Sequence, residues 1–139
     1  MNRIINSRIF IVLLLTLMAL PFLSLQQNKF DLKASITRGK EIYNVQCMSC
    51  HMENGEGLEG AFPPLAKSDY LMADQKRAVH QILNGLSGEI TVNGKTYNGD
   101  MPAFDLTDEE VSDVLNYVQN SWGNKAEAVR PDDVKALRN

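Results

Sequence analysis

Cys47-Met48-Ser49-Cys50-His51 constrains this chain more than any other stretch. Five residues carry two thiols and an imidazole in the spacing that fastens a haem covalently. The sulfurs reach the two vinyl groups of the porphyrin, and the histidine turns its Nε2 to the iron; C-x-x-C-H reads as c-type haem attachment. Cys47 and Cys50 are the chain's only cysteines. A thioredoxin-like redox pair needs a βαβ setting, which the pattern lacks. A zinc site needs four ligands, and beyond this motif the sole further histidine is His80. A disulfide between the two would close too small a loop to stabilise much. A chain holding one covalent haem must wrap a large flat apolar surface, whose burial stabilises the fold.

The first 25 residues read as a targeting segment. Arg3 and Arg8 precede an apolar run from Ile9 to Leu20, interrupted by Thr16 and followed by Pro21. This is the order of a secretory signal. The run is shorter than the ~20 residues of a spanning helix. Extended to Leu25 it reaches 17 residues, so membrane anchoring through residues 9–25 stands beside cleavage. Both place the folded part outside the cytoplasm, in the periplasm or on the outer face of the cytoplasmic membrane. Without Arg3 and Arg8 the remainder holds 12 basic against 17 acidic residues, a net charge of −5. That balance argues against nucleic acid, which calls for a basic patch.

Residues 26–33 read as a polar linker and 34–46 as a helix running into the haem motif. Its Gly39 costs about 1 kcal/mol against alanine, and either marks a close helix crossing or a late helix start. Glu53–Gly60 reads as a glycine-rich loop, and Phe62-Pro63-Pro64-Leu65 as a stiff extended segment. A helix over 74–84 is capped by Asp74 and stopped by Gly85, with Ala78, Val79, Ile82 and Leu83 inward. Asn93-Gly94 between Ile90-Thr91-Val92 and Lys95-Thr96-Tyr97 signals a small hairpin with a type I′ turn. Thr107 and Glu110 form a capping box before the stripe Val111, Val114, Leu115, Val118. From Asn124 the sequence is a polar tail, with one helical turn after Pro131.

A histidine-bound iron in an electron carrier takes a second axial ligand, and a thioether raises its potential. Met1 and Met18 lie in the targeting segment; Met48 and Met52 are too near His51 to reach the opposite face. Met72 lies beside Tyr70 and Leu71 and reads as packing. Met101 follows His51 by 50 residues, in the loop Asn98-Gly99-Asp100-Met101-Pro102-Ala103-Phe104. Pro102 pushes it toward extended backbone, which presents the sulfur. The expected iron ligands are therefore His51 and Met101, with Cys47 and Cys50 holding the ring. His80 falls beside the inward stripe and reads as a solvated edge residue. Phe62, Leu65, Ile82, Leu83, Tyr97 and Phe104 are candidate pocket residues.

Over residues 34–123 the chain resembles a class I cytochrome c. Gly39 and Tyr43 stand eight and four residues before Cys47, and Val114 and Tyr117 match the C-terminal helix positions that cross the first helix at its glycine. Met101-Pro102 matches the distal ligand motif. The resemblance implies an all-α fold, a few helices around one haem c, with a small β-hairpin before the distal loop. A narrower resemblance, carried by Phe62-Pro63-Pro64-Leu65, Gly85-Leu86-Ser87-Gly88 and Asn120-Ser121-Trp122-Gly123-Asn124, is to the cytochrome c domains attached to some bacterial copper nitrite reductases. Two cysteines and two histidines cannot also build a blue-copper site, so the resemblance implies the donor module alone.

The sequence thus points to an electron-transfer protein rather than an enzyme: a one-electron carrier passing electrons to a respiratory enzyme such as a nitrite reductase or terminal oxidase. Two other readings stand beside it. One is a haem subunit permanently docked on a larger membrane redox complex. The other is a gas- or peroxide-binding haem protein with a labile distal ligand, which Met101 discriminates.

Overall fold

A computed structural model describes residues 29–138; the expected signal or anchor segment lies outside the described residues. The first helix, α1 (Leu32–Gln46), begins two residues earlier than the composition suggests. Asp31 sets the start: its Oδ1 accepts from the amides of Lys33 at 3.0 Å and Ala34 at 3.1 Å, satisfying two donors that a helix start leaves open. A short α2 (Met48–His51) carries the haem motif directly after it. Then follow α3 (Asp69–Ala73), capped by Ser68, and α4 (Gln75–Asn84), capped by Asp74 and closed at Gly85. Strands β1 (Glu89–Val92) and β2 (Lys95–Asn98) pair antiparallel, with Val92 opposite Lys95. Asn93 (φ 52°) and Gly94 (φ 75°) both take positive φ, as the expected type I′ turn requires. Helix α5 (Asp108–Val118) starts on the Thr107–Glu110 capping box, and α6 (Pro131–Leu137) follows. Among the described residues this makes six helices and one hairpin, and no helix is long and apolar enough to cross a membrane.

The core is organised by the crossing of α1 and α5. Gly39 lies in mid-helix, so the close-approach reading of that glycine is the correct one. A Cβ there would stand 1.9 Å from the Asp113 carbonyl oxygen and 2.9 Å from the Tyr117 Cβ. Val111, Val114, Leu115 and Val118 are all buried, as the stripe foretold. The same crossing also buries polar groups. Asp113 accepts from Ser35 Oγ at 2.6 Å and from Arg38 Nε and Nη2 at 2.6 and 2.8 Å. Asn116 Nδ2 donates to Ser35 Oγ at 2.9 Å and to the Val129 carbonyl at 2.8 Å, while its Oδ1 accepts from the Val129 amide at 2.8 Å.

The last contact corrects the reading of the C-terminal segment. Residues 124–138 are not a polar tail: Val129 and Val134 are buried in the core, Leu137 packs against it, and α6 makes two turns rather than one. The apolar residues there are too few and too widely spaced to stand out as a stripe. Asn116 and Ser112, whose hydroxyl also donates to the Val129 carbonyl at 2.9 Å, supply the hydrogen bonds that let this irregular backbone be buried.

Candidate haem site

The motif occupies the junction where α1 hands over to α2. The amides of Cys50 and His51 return to the Cys47 carbonyl at 3.2 and 2.9 Å. That single turn sets both sulfurs and the imidazole on the wall of one cavity. Both cysteines are half-buried and unpaired with each other. Burial, then the neighbouring Cys50, pushes the Cys47 thiol up to about 11.

His51 is oriented from outside the motif. Its Nδ1 donates to the Pro63 carbonyl at 2.9 Å, which leaves Nε2 as the free ring nitrogen, the state an iron ligand needs. Burial holds its pKa below the ordinary value, against the opposing pull of the Pro63 hydrogen bond. Pro63 belongs to the stiff segment read from sequence, and that segment is tied back at Gly55, whose carbonyl accepts from the amides of Leu65 and Ala66 at 2.7 and 2.8 Å. A Cβ at Gly55 would meet the Trp122 ring at 2.5 Å. Trp122 in turn packs on Tyr43 and Tyr117, ring centroids 5.1 and 5.3 Å away. Tyr43 is fully buried and donates to the Met52 carbonyl at 2.6 Å.

Met101 arrives from the opposite side of the sequence. Its amide donates to the Leu86 carbonyl at 2.8 Å and its carbonyl accepts from the Leu86 amide at 2.9 Å. The Phe104 amide, donating to the Ile82 carbonyl at 2.9 Å, closes the loop onto α4. Pro102 between them has no amide to satisfy.

Two adjoining cavities, of about 190 and about 90 Å³, share Cys47, His51, Pro63, Leu86, Ile90 and Met101 in their walls. Their linings are overwhelmingly apolar. Two cysteine sulfurs, an imidazole with its Nε2 free, a thioether and apolar walls around one slot are the donor set and the surroundings that a covalent haem requires. Of the expected pocket residues, Phe62, Tyr97 and Phe104 line the larger cavity, and Leu65 and Ile82 the smaller. Leu83 does not; it packs against the core cluster. Met72 packs there as well, and His80 is exposed. Sequence reasoning missed Leu86, Ile90, Tyr70 and Gln81. For Leu86 the signal is its isolated bridge to Met101 across the chain, which no local periodicity carries.

A family model described as cytochrome c matches residues 36–122. The chain is 42% identical over 110 residues to cytochrome c-552 of Thermus thermophilus, covering 72% of this chain and 83% of that protein. It is 33% identical over 104 residues to the cytochrome c subunit of a quinone alcohol dehydrogenase of Gluconobacter oxydans (strain 621H), covering 72% of this chain and 22% of that subunit. With the cbb3-type cytochrome c oxidase subunit CcoP of Azospirillum brasilense it shares 32% identity over 111 residues, 74% of this chain and 34% of that subunit.

Proposed function

This chain belongs to the cytochrome c family, and we propose that within it the protein is an exported one-electron carrier whose haem iron is held by His51 and Met101. Cys47 and Cys50 hold the ring through their sulfurs. The observation that carries the reading is the common cavity wall: His51 and Met101, 50 residues apart in sequence, both line it. When bound, the haem supplies a one-electron ferrous–ferric couple, and it is this rather than any bond-making step that defines the protein as an electron-transfer protein and not an enzyme.

The chain's own residues tune that couple. Pro63 fixes the His51 ring and its tautomer. Leu86, Pro102 and the Phe104 amide hold the Met101 loop in one position, so neither ligand need move when the charge changes. The apolar walls exclude water and raise the cost of charging the site.

The carrier acts in the periplasm or on the outer face of the cytoplasmic membrane, delivered by residues 1–25 as a cleaved signal or a retained anchor. The acceptor is a respiratory enzyme such as a nitrite reductase or terminal oxidase, met through a small transient interface. A second reading, a permanently docked subunit, draws on the relatives that are cytochrome subunits of a dehydrogenase and an oxidase.

The test is spectroscopic. The purified exported protein carries the mass of one haem, and its ferric form shows the near-infrared methionine–iron charge-transfer band. In Met101→Ala that band disappears and the potential falls. A ferric spectrum indifferent to Met101→Ala overturns the ligand assignment and favours a site open to gas or peroxide. N-terminal sequencing separates the cleaved from the anchored form.

A further inference from the structure

We infer that Tyr70, backed by Gln81 and Arg77, is a positioning residue that holds one of the haem carboxylates by a hydrogen bond; this rests on the attachment at Cys47 and Cys50 proposed above. A haem carries its two carboxylates on the ring edge opposite its two vinyl carbons. Sulfur bonds at one edge therefore send the carboxylates away from the cysteines. The smaller cavity runs in that sense: it keeps Cys47 but not Cys50 in its wall and continues to Ser68, Tyr70 and Gln81.

The rest of that wall is apolar, and an ionised carboxylate in such surroundings is costly unless it is hydrogen-bonded. The donors can be counted. Ser68 Oγ caps α3, accepting from the Leu71 amide at 3.1 Å, and keeps its own proton. Gln81 Nε2 donates to the Tyr70 hydroxyl oxygen at 2.7 Å. Tyr70, accepting there, keeps its own proton for a further acceptor, and Gln81 keeps its second amide proton. The Arg77 guanidinium lies 3.8 Å over the Tyr70 ring centroid and also donates to the Tyr70 carbonyl. A cation on the ring face draws electron density from the phenol and makes its hydroxyl a stronger donor. Three spare protons, from Tyr70, Gln81 and Ser68, with a positive charge behind the tyrosine, at one end of an apolar slot, suit an anion. A thioether, a weak acceptor, makes poor use of them.

The experiment uses the complete holoprotein, produced with 5-aminolaevulinate labelled with carbon-13 at its carboxyl, so that both haem carboxylates are visible by carbon NMR in the ferrous state. Tyr70→Phe keeps the ring beneath Arg77 and removes only the hydroxyl. Gln81→Leu keeps the bulk and removes the supporting donor. In both variants one of the two carboxylate resonances shifts, the same one each time, while the other stays and the ferric methionine–iron band is unchanged. Two unmoved resonances overturn the inference. If they hold still while the near-infrared band moves, the hydroxyl serves Met101 and the inference is equally overturned. A wild-type protein lacking that band sinks the ligand assignment and leaves the carboxylate result standing by itself.

Discussion

Replacing Gly39 by alanine isolates the helix crossing on which the fold depends. At an exposed helical position this change stabilises by about 1 kcal/mol through helix propensity. Here the added methyl would lie 1.9 Å from the Asp113 carbonyl oxygen, a backbone atom that no rotamer can withdraw. Restoring ordinary contact near 3.4 Å separates α1 from α5 by about 1.5 Å. The Ser35–Asp113 hydrogen bond, now 2.6 Å, spans the same crossing and is stretched past its useful range. Overpacking at the upper end costs about 3 kcal/mol, and a strained buried hydrogen bond adds about 1 kcal/mol. Set against the propensity gain, the net loss is about 3 kcal/mol. For a domain of this size each kcal/mol moves Tm by about 4 °C, so a fall of about 12 °C is expected on the same scale. Far-ultraviolet circular dichroism melts of the wild-type and variant holoproteins measure it. A Tm equal to or above wild type refutes the crossing geometry, since propensity alone would then be deciding the outcome.

Asn116→Ala leaves the buried Val129 amide without its partner and should cost about 3 kcal/mol, read as a lower denaturant midpoint. Val134→Ala removes two methylene equivalents from a fully buried site in α6 and should cost about 2 kcal/mol; a neutral effect refutes the integration of the C-terminal helix. Asp74 caps α4, and the amide of Arg77 above all holds its pKa below the ordinary carboxylate value, burial opposing it and the Lys76 amide adding to the lowering. The cap therefore stabilises above the unfolded pKa of about 3.9 and is lost as pH falls through the lower folded value. The Tm gap between wild type and Asp74→Ala should be constant near neutrality and close below pH ~4; a gap that persists in acid contradicts the charge assignment.

Much of the proposed site was legible because its chemistry is local. The motif Cys47–His51 is contiguous, and Met101, the proposed second ligand, was reached by asking which thioether has chain enough to reach the far side of a ring. The caps at Asp74 and Thr107 and the turn at Asn93-Gly94 are likewise short-range events, decided within four residues. Signals of that kind survive in one dimension.

What tertiary structure alone decided is everything that joins distant backbone. The His51 ring is aimed by a carbonyl at Pro63, twelve residues on, and Met101 is held by Leu86. A peptide carbonyl has no sequence signature, since every residue owns one. For the same reason the segment after Asn124 looked polar: the hydrogen bonds that admit Val129 to the core come from Ser112 and Asn116, whose side chains look solvent-bound until α1 covers them. Residue types announced which atoms can meet a metal or cap a helix; only packing settled which buried amide and carbonyl each polar side chain would satisfy.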